Sequence, residues 1–567
     1  MKTKKVTANK NISITPRLPL YVASGVAVLA ALFWYFIHPE VMNYQEQYQL
    51  WLTDCDYLVE NLKRCGGIAG YIGEFLVQFY YIEWLGAIIL GLVYGGLCWL
   101  VSKVIITVSQ RQCQSKRQRL FASLSGIAVA LLLLWHMGDE SVLMGYPVAL
   151  LITLGIFLLV RKLSVWFDLL IIPALYWIVG PMAWMYSLLR MNEDTDLKRP
   201  DKLKHRAIIA IPSLLVIPMY IYTMPQMPAR AVLWGTEYYR MITDSPTLQI
   251  LIPLVIVVMA IIASISSFSS FGKLSKTLYG IFAAGVVVLG WMAVDKGYDA
   301  DMHELMMQDR LIRQHRWNEV IERAERKTVP LNFWSESVNL SLAMTNQLAE
   351  RQFDFFQSGF DALILQMTRD QTSDMPSMEA FYHLGMINEA LRYAYDMQES
   401  IPYNRKSGRL SKRIAECYII NGNYTMARKY LRLLSRSMFY STWAKETMAC
   451  LGNEEKINAN KEWALARQHR YKVDFLYYYP QMTTLFANLF ATDTTNKMAL
   501  QYTLAQYILI NDTEGFLGHL GWAEQYGGYA EMPRAYRKAY ECIAEHGQLD
   551  LVKTSNPMDR YEAEELH

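Results

Sequence analysis

Long apolar stretches almost free of charge dominate the first half of this chain, at about 18–37, 83–107, 119–137, 142–160, 207–223, 247–266 and 276–294. A helical bilayer crossing needs about 20 apolar residues, and in lipid only helices and closed barrels satisfy their own backbone. The pattern predicts a polytopic α-helical membrane domain over 18–294, after a basic tail at 1–17 that carries Lys2, Lys4, Lys5, Lys10 and Arg17. A cleaved signal peptide fits poorly, because Phe33-Trp34-Tyr35-Phe36 is bulky where a peptidase takes small residues. The segment 163–190 is apolar but contains Pro173 and Gly180-Pro181, so it reads as one tilted helix or as two short helices meeting at Gly180. Spans then number about eight or nine.

Lysine and arginine orient the spans. With the basic tail inside, Arg111, Lys116 and Arg117 are inside, as are Arg161-Lys162. The loop with Arg190, Lys198, Arg199, Lys202, Lys204 and Arg206 stays inside only if 163–190 enters and returns. The expectation is a multi-pass membrane protein whose C-terminal domain lies outside the cytoplasm. A long loop at 38–82 then faces outward.

From about residue 295 charge becomes frequent and apolar residues recur every three or four positions, the mark of amphipathic helices. The fold class is all-α. A soluble helical domain is expected over 295–567, and its pairing resembles a degenerate tetratricopeptide-like solenoid. The clearest unit is 409–436, where Ala415, Tyr418, Tyr424 and Ala427 flank a Gly422-Asn423 turn. Net charge is only +3, so composition gives no case for nucleic acid. The seven cysteines include no CxxC pair, which argues against zinc. Cys55 and Cys65 share the outer loop, and a bridge and two free thiols both stay open.

Acids on the outer face are the candidates for chemistry. Glu46, Asp54 and Asp56 follow the first span, and Asp139-Glu140 occupies a short turn at the membrane surface. Carboxylates at a bilayer boundary need water, a partner or a cation. Glu46, Asp54 and Asp56 are the candidate catalytic bases. Asp139 and Glu140 are the candidate ligands of a divalent metal, Mg or Mn. Arg230 and Arg240 are placed to grip a lipid phosphate. The plainer alternative is solvated turn acids and interface anchoring. No Ser-His-Asp arrangement is visible.

Three stretches resemble an uncharacterised family of bacterial multi-span inner-membrane proteins with tetratricopeptide-like C-termini: YQEQYQLWLTDCDYLVENLKRCGGIAGYIGEFLVQFYY, ALYWIVGPMAW and NKMALQYTLAQYILINDTEGFL. The membrane half also resembles the type-C glycosyltransferases in its acidic first outer loop, acid-bearing turn and outward C-terminal domain. That resemblance implies transfer of a sugar from a polyprenyl-linked donor to an acceptor outside the membrane. It departs from those enzymes in having fewer spans and no diagnostic motif, and fold-level analogy carries no chemistry by itself. The alternative is a non-catalytic scaffold: membrane lipids hold the anchor, and a protein or peptide partner binds the C-terminal helices. A transporter ranks third.

Overall fold

The computed structural model describes residues 17–109, 116–193, 199–223, 247–264, 272–365, 372–401, 405–472 and 482–551. Among these, every named element is a helix, and extended pairing is confined to an isolated antiparallel bridge between Leu52 and Ser437. The chain forms two compact units. Met1–Gln45 and Asp54–Asp299 make the first; Glu46–Thr53 and Ala300–His567 make the second. The assignment of 46–53 to the C-terminal unit was not foreseen, and it governs how the first loop is read.

In the first unit α1 (Leu18–Phe36) leads into α2 (Pro39–Gln47), whose last two residues belong to the second unit, and the chain returns through α3 (Cys55–Leu62) and α4 (Gly67–Val77) to α5 (Glu83–Val108). Then come α6 (Lys116–Met137), α7 (Gly145–Val160), α8 (Asp168–Val179), α9 (Ala183–Met191), α10 (Arg199–Thr223), α11 (Thr247–Ser264) and α12 (Gly272–Asp295). Among the described residues six helical segments have the length and apolarity of a bilayer crossing, compatible with a multi-pass membrane protein. α7 is apolar but shorter.

One of the six segments, Val165–Met191, is folded back on itself. Gly180 adopts a left-handed φ of 68° at the start of a short 3-10 turn that includes Pro181. Arg190 Nε then lies 2.9 Å from Asp168 Oδ2, and Tyr186 donates to Asp168 Oδ1 at 2.6 Å. A straight helix would separate Asp168 and Arg190 by ~33 Å. α8 and α9 therefore leave and return at the same end of the unit. Of the two readings of 163–190, this is the one that keeps the Arg190–Arg206 loop on the side of Arg161.

Several described loops meet at the opposite end. The His38 and Tyr298 rings are 4.8 Å apart, joining the exits of α1 and α12. Gln45 donates to the Val142 carbonyl at 2.9 Å, and Gly138 meets the Gly297 backbone so closely that no Cβ fits between them. Cys55 and Cys65 are both free thiols. Beside α9, an apolar cavity of about 320 Å³ opens against α11, lined by Met182, Met185, Leu188, Pro253 and Val257 among others.

α1 and α5 pack through small residues, as Gly91 and Gly95 suggest. A Cβ on Gly91 would lie 2.5 Å from the Ala27 carbonyl oxygen and 2.9 Å from the Ala31 methyl. Gly91→Leu is therefore expected to force the helices apart, costing roughly 1–3 kcal/mol. It should lower the thermal unfolding midpoint of the detergent-solubilised chain. Gly155→Leu, at a position with nothing within 4 Å, should leave the midpoint unchanged.

The second unit is a stack of helical hairpins. Its elements are α13 (Ala300–Arg313), α14 (Trp317–Arg326), α15 (Asn332–Met344), α16 (Leu348–Arg351), α17 (Met375–Leu384), α18 (Ile387–Ser400), α19 (Gly408–Ile420) and α20 (Tyr424–Leu434). There follow α21 (Ser441–Cys450), α22 (Glu454–Asn458), α23 (Lys461–His469), α24 (Met482–Thr492), α25 (Lys497–Leu509), α26 (Thr513–Tyr526) and α27 (Arg534–His546). The hairpin expected at 409–436 is α19–α20: Gly422 turns with a φ of 74° and Asn423 caps α20. α14 and α20 each keep an exposed polar face, whereas α15, α17, α19 and α25 are buried on almost every side. An open solenoid would leave such inner helices exposed along a groove. Here α25 packs back on α15 and α17, with Asn496 donating to Leu384 O at 2.9 Å and Gln501 to Asn346 Oδ1 at 2.6 Å.

Candidate functional site

The most unusual chemistry in the second unit is a buried charged cradle around residues 46–53. Asp309 and Arg313 lie one turn apart at the end of α13, Glu379 lies on α17, and Arg409, Arg413 and Glu416 lie on one face of α19. The spacing 409, 413, 416 places those three side chains together by helical geometry alone. Arg409 Nη1 donates to both oxygens of Asp309 at 2.8 Å, and its Nη2 lies 3.3 Å from Glu379 Oε1. Arg413 donates to Glu379 at 2.6 Å and to Glu416 at 3.1 Å, and its guanidinium stands 3.6 Å over the Tyr382 ring. All six charged residues are buried or close to it.

Residues 46–53 lie in this cradle. Glu46 is 3% exposed. It accepts from Arg313 Nη2 at 2.8 Å and from the Tyr440 hydroxyl at 2.9 Å. Gln47 accepts from Arg409 at 3.0 Å. The backbone is gripped too: Leu50 N donates to Lys406 O at 2.9 Å, and Thr53 N to Arg436 O at 2.9 Å, beside the Leu52–Ser437 bridge. Tyr440 in turn packs against Gly408 so tightly that a Cβ there would lie 2.5 Å from the ring.

Burial sets the electrostatics, and neighbouring charge decides their sign. Burial works against the Arg313 cation, but Tyr440 and Glu46 more than offset it, so its pKa lies above the ordinary value. Burial also pushes the Glu379 carboxyl up, yet Arg413 and Arg409 override it and hold it at about 2. Burial lowers His383, one helical turn further along α17, from 6.5 to about 4. Both groups make the fold acid-sensitive. The unfolded chain takes up the His383 proton below 6.5, where the folded one does not until about 4, and Glu379 adds the same loss between 4.5 and about 2. Glu336, whose carboxyl burial keeps protonated, works in the opposite direction. The stability of His383→Gln is therefore expected to lose the part of its acid dependence between pH 6.5 and 4, roughly 3 kcal/mol. A pH series on both proteins checks it.

The other predicted acids sit in the first unit. Asp54 caps α3, accepting from Asp56 N at 3.3 Å, and Asp56 is exposed in the first turn. Asp139 accepts from Ser141 N at 3.0 Å and makes the turn before α7, with Glu140 half-buried beside it. Arg230 and Arg240 lie outside the described residues. Glu46 is thus held by a guanidinium and a phenol, while Asp54 and Asp139 make turns. Sequence reasoning missed Asp309, Arg313, Glu379, Arg409 and Arg413. A signal was present, since Arg409, Arg413 and Glu416 share the α19 face among Leu410 and Ile414, where a repeat's inner helix is otherwise apolar.

A model for a family of unknown function, DUF6057, matches residues 14–557. The chain belongs to that family. The match runs through both units. No curated protein and no solved structure matches the chain. Membership of an uncharacterised family is as expected, and the family's description supplies no activity.

Proposed function

We propose that the protein is a non-catalytic scaffold, anchored by its spans in a bacterial inner membrane, with its tetratricopeptide-like helices recognising a protein or peptide partner in the periplasm. The observation that carries this reading is the way the cradle holds residues 46–53, through Arg313, Arg409 and two backbone bonds, as a helical receptor holds a peptide. Glu46, one of the three candidate bases, is engaged in that grip. Purification of the full chain from native membranes in mild detergent tests the reading. A co-purifying envelope protein should persist when Asp54, Asp56, Asp139 and Glu140 are all changed to Ala. Loss of the complex in that variant, or a chain that purifies alone, would overturn it.

Sugar transfer from a polyprenyl-linked donor is the second reading. It is favoured by the loops near Asp139 that meet at one end of the first unit, and by an apolar cavity able to take a lipid tail. The base would then be Asp54 or Asp56. Asp139 and Glu140 would hold Mg or Mn, and Arg230 or Arg240 would hold the donor phosphate. The same four-acid variant would abolish envelope glycosylation.

Both readings place residues past 300 outside the cytoplasm. The single-end return of α8–α9 supports this, because it keeps the Arg190–Arg206 loop with Arg161. A cysteine introduced at exposed Arg428 should react with an impermeant thiol reagent in intact spheroplasts. Reaction only after lysis would invert the orientation.

A further inference from the structure

We infer that the cradle is a receptor for a peptide segment bearing a carboxylate, supplied by a partner protein, and that residues 46–53, the end of α2 and the irregular stretch after it, are a resident ligand which this segment displaces. The inference rests on the scaffold reading and adds to it the chemistry of the partner and a competition in cis.

The resident segment fits the cradle incompletely. Arg313 offers two terminal nitrogens. Nη2 is taken by Glu46 and Tyr440, while Nη1 is buried with no hydrogen-bond partner. Gln47 accepts from Arg409, but its own Nε2 is buried and unpartnered. Buried donors without acceptors are costly, and a guanidinium prefers a carboxylate that meets both nitrogens side by side. Glu46 cannot move freely to that geometry, because the chain on both sides of 46–53 continues into the first unit. A carboxylate on an independent peptide has no such tether. It can meet Nη1 and Nη2 together, while its backbone replaces the bonds now made by Leu50 and Thr53 to Lys406 and Arg436.

Charge sets the class of ligand. With 46–53 absent, Arg313, Arg409 and Arg413 face Asp309, Glu379 and Glu416, and Arg313 loses its ion pair with Glu46. One carboxylate restores that pair. A phosphate or a strongly acidic tract would bring excess negative charge against Asp309 and Glu379. Tethering gives 46–53 an effective concentration in the millimolar range, so the wild-type receptor is masked against weak ligands. Displacement frees the first loop of the membrane unit, and partner binding is thereby coupled to the membrane half.

The test uses the full chain in detergent and a fluorescent synthetic peptide with the sequence of residues 44–54. Glu46→Ala combined with Gln47→Ala should bind the peptide about tenfold more tightly than the wild type, because the competitor in cis is weakened. Adding Arg313→Ala should abolish the gain, and so should a peptide with Gln at the position of Glu46. In the wild type, saturating peptide should speed amide exchange at Leu50 and Thr53. A folded variant with no gain in affinity, a variant that cannot fold, or unchanged exchange would each overturn the inference and mark 46–53 as permanent core. The scaffold reading fails separately, by the absence of any co-purifying protein.

Discussion

Arg409→Ala should unfold the helical unit at far lower denaturant than the wild type requires, with a loss of about 3–5 kcal/mol. Arg409 is 6% exposed and joins Asp309, Glu379 and Gln47. Its removal leaves two carboxylates buried beside each other, with only Arg413 to serve Glu379. Breaking a buried pair from one side is costly for this reason, whatever the intact pair contributes. Arg409→Lys should recover part of the loss, since an ammonium supplies charge but not the two-sided fork. Arg316→Ala, which removes an exposed pair with Glu319, should change stability by under about 0.5 kcal/mol. Denaturant titration of the detergent-solubilised chain, followed by circular dichroism, reads all three.

The second large effect belongs to the membrane unit. Arg190→Ala leaves Asp168, 1% exposed, with the Tyr186 hydroxyl but no cation. It also strips the Leu163 and Arg161 carbonyls of their donor. A loss of about 3–5 kcal/mol is expected, with the α8–α9 return opening at its base. Asp168→Asn in the same chain should restore much of it, because the orphaned charge is then gone. Thermal unfolding of single and double variants gives the coupling directly. A double-variant loss equal to the sum of the two single losses would show that Asp168 and Arg190 do not act on each other.

The legible part of this molecule is the part written locally. Spans follow from runs of apolar residues that a bilayer's thickness demands, and the returning pair was half-visible in Pro173 and Gly180-Pro181. The α19–α20 hairpin announced itself by Ala415, Ala427 and the Gly422-Asn423 turn. Asp54 could have been read as a cap, since it directly precedes an amphipathic helix. Glu46 could not have been placed. Its partners stand 267 and 394 residues away, and no local pattern reports a contact across that distance. An acid shortly after a span looks the same whether it faces a substrate or a buried arginine.

A cysteine pair reads whether the helical unit grips residues 46–53. Leu52 and Ser437 form an antiparallel bridge, which brings their Cβ atoms within disulfide reach. In native membranes, with Cys55 changed to Ser, Leu52→Cys with Ser437→Cys should cross-link nearly completely under mild oxidation. Neither single cysteine should do so. A folded double-cysteine chain that stays reduced would contradict the account.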